Sequence, residues 1–470
     1  MKKTLCAVLA ASSLLFAESY QVNTLSAKQM GMGHTGAALK LGSESMNFNP
    51  GGLGFLDKTL DISAGATFIM PEVQFNGAKG KTVNDKLGTP MYVYAATSIT
   101  DWLSAGLSFT TPYGNSIDYG KNWEGAGLVQ DMSLSVFALQ PTVAFRPISQ
   151  LSIGVGPAIY FGSFEQSKLL IPAGGLNGLK ALAAHPQLGA LAAGIPSIVD
   201  KYADTPVSAT FSGDADVAIA VNVGAMYDII QDKLAVGVAY RSGADMKVAK
   251  GTVKGTEDIT TLNGIIENIN TTAGSTVVSP LPVPKLEEGN FKAELPLPAN
   301  LNAGVSFRPI EKLLLAFDFQ VIFWSAYEEL VMDFDKTVFG VHPQAGPIKS
   351  LVMKKDYNNA FAYRFGAQYT LIDQLDLRLG MYYDETPVDD KNLTPDSPST
   401  NKLGSTIGLS FRPIPNLSID ASFLYSNGGG PLGRDAKSGD KKNNLGQADG
   451  LDGRYDVQAW VPSVGLSFNF

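Results

Sequence analysis

From Leu60 to the carboxyl terminus, apolar and polar residues alternate. Leu313, Leu315, Phe317, Phe319, Val321 and Phe323 share one face, with Asp318 and Gln320 on the other. Leu375, Leu377, Leu379 and Met381 alternate with Asp376, Arg378, Gly380 and Tyr382. Leu417, Ile419, Ala421 and Phe423 alternate with Ser418, Asp420 and Ser422. A period of two predicts strands, and an apolar face opposite a polar or small one suits a barrel with lipid outside. A soluble sandwich carries the same alternation toward a core, so the connections decide. About fourteen strands are expected, starting near Leu60, Met91, Trp102, Met132, Leu151, Ala209, Leu234, Leu297, Leu313, Phe361, Leu375, Gly404, Leu417 and Val461. Short turns fall at Thr100–Asp101, Arg146–Gln150, Asp228–Lys233, Arg308–Lys312, Thr370–Gln374 and Arg412–Asn416. Loops of roughly fifteen to fifty residues fill every other gap. An even count with every long loop at one end predicts an all-β transmembrane antiparallel barrel with both termini in the periplasm.

The phrase Phe-Arg-Pro-Ile closes three of these strands, at Phe145–Ile148, Phe307–Ile310 and Phe411–Ile414. Proline there lacks a ladder donor and suits a tight turn, and turn-making is the phrase's expected role.

Ahead of the strands the pattern is different. Gly31 to Leu56 is apolar but broken by glycines and closes on Asn49-Pro50-Gly51-Gly52, too irregular for a strand or a long helix. It predicts a compact plug inside the barrel. Before it, Lys2 and Lys3 precede an apolar core from Thr4 to Phe16 and a small residue at Ala17, the layout of a secretory signal peptide. The expected division is 1–17 signal peptide, 18–56 plug and 57–470 barrel. Cys6, the one cysteine among 470 residues, lies in the signal segment, so the exported chain needs no disulfide.

Composition agrees with a membrane barrel. Only 17% of residues are charged, mean hydropathy is +0.05, and no apolar run after the signal reaches the ~20 residues of a membrane helix. A net charge of -8 without a basic stripe argues against nucleic acid. Chemistry is sparse. The three histidines are His34 in the plug and His185 and His342 in outer loops, none on a strand, and no G-x-S-x-G is present. Without paired histidines or a cysteine, no metal or other cofactor is expected. Gly31-x-Gly33-x-x-Gly36 matches a dinucleotide fingerprint in form only, since it follows no strand and opens no crossover. Asp449, Asp452 and Asp456 read as a solvated acidic loop.

The last strand ends Val464, Leu466, Phe468, Phe470, and its terminal aromatic looks like the signal read by the barrel-assembly machinery. Tyr92, Tyr94, Trp102, Tyr240, Trp324 and Tyr425 lie near strand ends and suit interfacial girdles.

The start Glu18-Ser19-Tyr20-Gln21-Val22-Asn23, the glycine-rich stretch and Asn49-Pro50 resemble the hatch of FadL-type outer-membrane transporters of long-chain fatty acids and other hydrophobic molecules. The late Asp384-Glu385-Thr386-Pro387-Val388 segment, Leu297 to Leu301 and Phe323-Trp324-Ser325 are similar to that family too. One departure is Gly51, where the family's Asn-Pro is usually followed by alanine; the turn is expected to stay intact but looser. The resemblance implies a fourteen-stranded barrel plugged by its hatch, with Asn49, Pro50, Gly51, Gly33 and Gly36 as hatch and gate residues. It implies capture on outer loops, a luminal pocket reached by Tyr20, and lateral exit at a kink in the third strand. That strand is expected over Trp102 to Thr111, with Gly106 inside it and Pro112 and Gly114 just beyond as candidates for the break. For the capture groove the candidates are the apolar loop residues Leu179, Leu182, Leu191, Ile195, Ile198, Ile265 and Ile266, whose plainer role is mutual packing. Arg378, Lys312 or Arg241 could meet a carboxylate from the inner wall, or simply balance Asp376 and Asp318.

The expected function is passive uptake of long-chain fatty acids or similar molecules by a monomer working among outer-membrane lipids of a Gram-negative cell. Aromatic-hydrocarbon uptake is the nearest alternative. A surface adhesin or an outer-membrane hydrolase would be a different class.

Overall fold

The computed structural model describes residues 20–57, 59–171, 177–184, 188–201, 204–256, 260–272, 288–335, 341–342, 346–347, 349–444 and 448–470. The signal segment, and with it Cys6, lies outside these residues, as does His185.

Fourteen antiparallel spans close into a barrel. They are β1 (Leu60–Thr67 with Met70–Gly77), β2 (Gly80–Asn84 with Met91–Thr100), β3 (Leu103–Asp118), β4 (Asp131–Ile148) and β5 (Leu151–Ile171). Next come β6 (Val207–Ile230), β7 (Leu234–Arg241 with Ala244–Gly255), β8 (Gly289–Leu297 with Asn300–Ile310) and β9 (Leu313–Ile322 with Glu329–Phe334). The last are β10 (Ser350–Lys354 with Ala360–Ile372), β11 (Leu375–Asp384), β12 (Lys402–Ile414), β13 (Leu417–Gly428) and β14 (Gly453–Asn469). β1 pairs with β14, Asp61 facing Asn469, so no edge is left open.

The alternation sorts as expected. Leu377, Leu379 and Met381 are exposed on the lipid side, while Asp376, Arg378 and Tyr382 are buried on the inner wall. The spans run beyond their expected starts at the long-loop end: β5 takes in Lys168 to Leu170, and β14 begins at Gly453 rather than Val461. Each Phe-Arg-Pro-Ile phrase makes a turn with a register shift, between Phe145 and Ile148, Phe307 and Ile310, and Phe411 and Ile414. Of the girdle candidates, Trp102 and Tyr240 face lipid, but Tyr92, Tyr94 and Trp324 point inward. The Tyr92 hydroxyl accepts from the Ala27 N–H at 3.0 Å, and the Tyr94 hydroxyl donates to the Leu25 carbonyl at 3.0 Å. These tyrosines anchor the plug.

The plug fills the lumen. It carries two short helices, α1 (Ala27–Gly31) and α2 (Ser45–Phe48), and a 3-10 turn at Pro50–Phe55. Ser26 caps α1 by accepting from the Gln29 N–H at 3.0 Å. The plug backbone presses on a belt of wall glycines. A Cβ on Gly154 would stand 2.2 Å from the Pro50 carbonyl, on Gly237 1.8 Å from that of Ala37, and on Gly380 2.1 Å from the Gly33 nitrogen. Glycine is needed at these positions because backbone meets backbone.

Candidate functional site

Asn49 ties plug to wall. Its side-chain oxygen accepts from the Gly51 N–H at 2.9 Å, and its amide donates to the carbonyls of Ala37 and, at 3.1 Å, Ala225 of β6. Pro50 continues the turn that Asn49 caps. A Cβ on Gly51 would lie 2.9 Å from Ala225 Cα and 2.9 Å from the Ser152 carbonyl. The glycine therefore lets the turn sit closer to the wall, and the expected loosening gives way to tighter seating. Gly33 adopts a positive φ of 62°. Gly36 and Ala37 donate their N–H groups to Asp318 at 2.7 and 2.8 Å. Asp318 thus holds plug backbone and does not pair with Arg378.

The chain start forms the other end of the plug. Val22 N–H donates to the Pro112 carbonyl and Gly114 N–H to the Tyr20 carbonyl, both at 2.8 Å, so Tyr20–Val22 adds to β3 as a short strand. Here β3 leaves its neighbour. Pairing with β2 runs from Leu103 to Thr110 and then stops, while the pairing with β4 shifts between Thr110 and Tyr113. Beyond Thr110 the Thr111 hydroxyl bonds the Met91 backbone, accepting from its N–H at 3.0 Å, and further on Asn84 donates to the Ser116 carbonyl at 3.3 Å and accepts from the Asp118 N–H at 2.9 Å. Pro112 and Gly114 therefore lie within β3, at the break itself. Gly106 lies below it, with its missing Cβ 2.6 Å from Met46 of the plug.

Tyr20 also closes a pocket. Its ring stands edge-on to Trp324 at 4.8 Å and near Tyr327 at 6.1 Å, and its hydroxyl donates to the Pro296 carbonyl. Beside it lies a cavity of about 80 Å³ with Met132, Leu134, Met246, Leu295 and Met332 on its walls. Methionines are adaptable walls for apolar guests. The charged groups in this lining form an ion pair, Lys355 to Asp396 at 2.8 Å, with Lys355 only 3% exposed. Burial disfavours both charges. The Asp396 carboxylate nonetheless raises the Lys355 ammonium above its usual range, and that ammonium with Thr394 holds Asp396 well below the usual carboxylate range.

Lys355 was not among the candidate cations, and those cations lie elsewhere. Lys312 sits in a short turn, Arg241 donates to the Asn47 carbonyl at 2.8 Å, and Arg378 lies toward the short-turn end, 4.0 Å from Asp376. The loop candidates pack on one another. Ile195 and Ile266 are buried with Leu188, Val199, Leu262 and Ile269, and Leu179, Leu182, Ile198 and Ile265 cover them. These residues belong to short loop helices, including α3 (Lys180–Ala183), α4 (Gly189–Ala192), α5 (Ile195–Lys201) and α6 (Thr260–Thr272). None of them lines the pocket. The Leu191 and His342 side chains lie outside the described residues. His34 is buried in the plug beside Gln29, 3.1 Å away. Among the described residues no cluster of metal-ligating side chains occurs, and Asp456 pairs with Arg454 at 3.3 Å.

A closed fourteen-stranded barrel, apolar outside and plugged by its own amino-terminal segment, defines a plugged outer-membrane barrel. The chain belongs to the outer membrane protein transport protein family (OMPP1/FadL/TodX), whose model matches residues 8–470. It is 23% identical over 434 residues to a long-chain fatty acid transport protein of Escherichia coli O6:H1, covering 90% of each chain. It is 21% identical to outer membrane protein P1 of Haemophilus influenzae over the whole of both. Among solved structures it resembles a Pseudomonas aeruginosa FadL homologue (TM-score 0.74, 20% identity, 96% of this chain and 100% of that one). It also resembles the Pseudomonas putida toluene transporter TodX (TM-score 0.67, 16% identity, 96% and 100%). The long-loop end is thus extracellular and the short-turn end periplasmic. These relatives carry the names of transporters and outer-membrane proteins, not of enzymes.

Proposed function

We propose that this protein is a non-catalytic facilitator that takes long-chain carboxylates and similar hydrophobic molecules through the outer membrane. One observation carries the reading: Tyr20 is at once a wall of the luminal pocket and the residue whose backbone bonds β3 where that strand leaves β2. A guest that displaces Tyr20 opens the wall. Capture begins on the apolar outer-loop helices, and burial of apolar surface drives it. In the pocket the tail lies along the methionine and leucine walls while the carboxylate takes the place of Asp396 on Lys355. Tyr20–Val22 then withdraws and the molecule leaves sideways into the membrane. The domain division at residues 17 and 56, action as a monomer among outer-membrane lipids, and recognition of Phe470 by the barrel-assembly machinery belong to the same reading. Names of relatives for long-chain fatty acid transport support the cargo class.

Aromatic hydrocarbons are the second reading, favoured by the cavity of about 80 Å³, which is below the ~300 Å³ usual for larger ligands. The test is uptake of labelled oleate by a Gram-negative host lacking its own transporter, with membrane insertion confirmed. Saturable uptake, lost with Lys355→Met, is expected. No uptake despite insertion would transfer the cargo to the toluene and xylene class.

A further inference from the structure

A cavity larger than the Tyr20 pocket lies at the other end of the lumen. Beneath the plug, open toward the periplasmic turns, is a space of about 380 Å³ that the uptake route does not use. Its floor is apolar, made by Met32, Leu39 and Leu41 of the plug against Leu314. Its rim is mixed, with the cations Lys28, Lys40, Lys233, Arg308, Arg378 and Arg412 outnumbering the carboxylates Asp57, Asp61, Asp228 and Asp232, and the Phe-Arg-Pro-Ile phrase accounts for part of that excess. In each copy the phenylalanine and isoleucine face lipid while the arginine is less exposed. Arg308 and Arg412 line the cavity, and Arg146 stands 4.8 Å over the ring of Phe55, another lining residue.

The deepest cation is Arg378. Its Nε donates to Gln368 at 2.8 Å and its Nη1 to Ser410 at 2.6 Å. The nearest carboxylate oxygens, on Asp420 and Asp376, stand off at 3.9 and 4.0 Å. Lys40 is occupied by Asp228 at 2.8 Å, and Arg412 by Asp376 at 2.7 Å. Among the described residues, the Arg308 guanidinium has only the Glu311 carbonyl, at 3.1 Å. A sheltered guanidinium whose two ion pairs, to Asp420 and Asp376, are stretched to 3.9 and 4.0 Å, above an apolar floor, suits an anionic head on a short apolar tail.

We propose that this vestibule is a second ligand site, for a monocarboxylate amphiphile on the periplasmic side of the plug. The head meets Arg378, with Arg308 at the rim, and the tail lies on Met32, Leu39 and Leu41. The inference rests on the carboxylate reading of the cargo, because the same chemistry would hold a molecule already past the wall. Its volume falls within the ~300–1,000 Å³ of ligand pockets.

The test uses the full mature chain in nonionic detergent, with a bimane on Leu41→Cys and 11-bromoundecanoate as quencher. Saturable quenching is expected, unchanged in a Lys355→Met background and at least tenfold weaker in Arg378→Met. Arg308→Ala should weaken it severalfold, which keeps the site testable if Arg378→Met does not fold. Equal quenching by 11-bromoundecanol, no saturable quenching, or quenching lost with Lys355→Met would each overturn the site. Failure of oleate uptake with quenching intact would count against the transport reading alone.

Discussion

Asn49 shows how much one side chain can hold. Its amide and carbonyl join the Ala37 carbonyl of the plug, the N–H of Gly51 and strand β6. Asn49→Ala leaves buried backbone groups unsatisfied, each at about 1–3 kcal/mol. The expected result is a barrel that still inserts, a plug that exchanges amide hydrogens faster, and altered uptake; native exchange with unaltered uptake would remove Asn49 from the gate. Lys355 and Asp396 act at the same scale, through charge. The carboxyl of Asp396 is depressed in the folded state, so its stabilisation is present above the unfolded value of about 3.9. It is lost as pH falls through that value toward the folded one. Lys355 is raised, so its share is present below about 10.4 and lost as pH climbs past that value. Denaturation midpoints followed from pH 7 to pH 2 should fall below pH 4 less steeply in Asp396→Asn than in the wild type. Parallel curves would assign the pair no part in stability.

Among the elements, β3 and the chain start form the joint that moves in the proposed route. A disulfide between Gln21→Cys and Tyr113→Cys, which face each other across the short added strand, should fix it. The expected outcome is uptake blocked under oxidising conditions and restored by reductant, read with labelled oleate. Uptake indifferent to the crosslink would place the exit elsewhere. The spans themselves were legible in sequence because a period of two and a proline turn are local signals. The inward turn of Tyr92 and Tyr94 was not, since Val93 between them and Ala95 after them are also apolar and leave both faces plausible. Lys355 escaped notice for a different reason. It reads as one charge in Lys354-Lys355-Asp356, and only the closing of the barrel brings it to Asp396, on the outer loop after β11. The break in β3 was readable from Pro112 and Gly114, but its partner Tyr20 is about ninety residues away along the chain.

On the scale of the whole molecule, the glycine belt and the joint divide the labour. Where Gly154, Gly237 and Gly380 meet plug backbone, there is no space for the plug to slide. Close packing of this kind favours one discrete seat over continuous movement. The Tyr20–Val22 strand has only two backbone hydrogen bonds to β3 and can leave without disturbing that seat. In the proposed route the plug therefore keeps the lumen shut to water while the wall opens to apolar cargo. Deleting residues 20–56 should leave a barrel closed by its β1–β14 pairing but open along its axis. In planar bilayers the wild type is expected to pass little current, and the deletion to give large, steady conductance. Host cells carrying the deletion should admit bulky polar antibiotics. A deletion variant that inserts as a folded barrel yet conducts no more than the wild type would show that the outer loops, not the plug, close the axis.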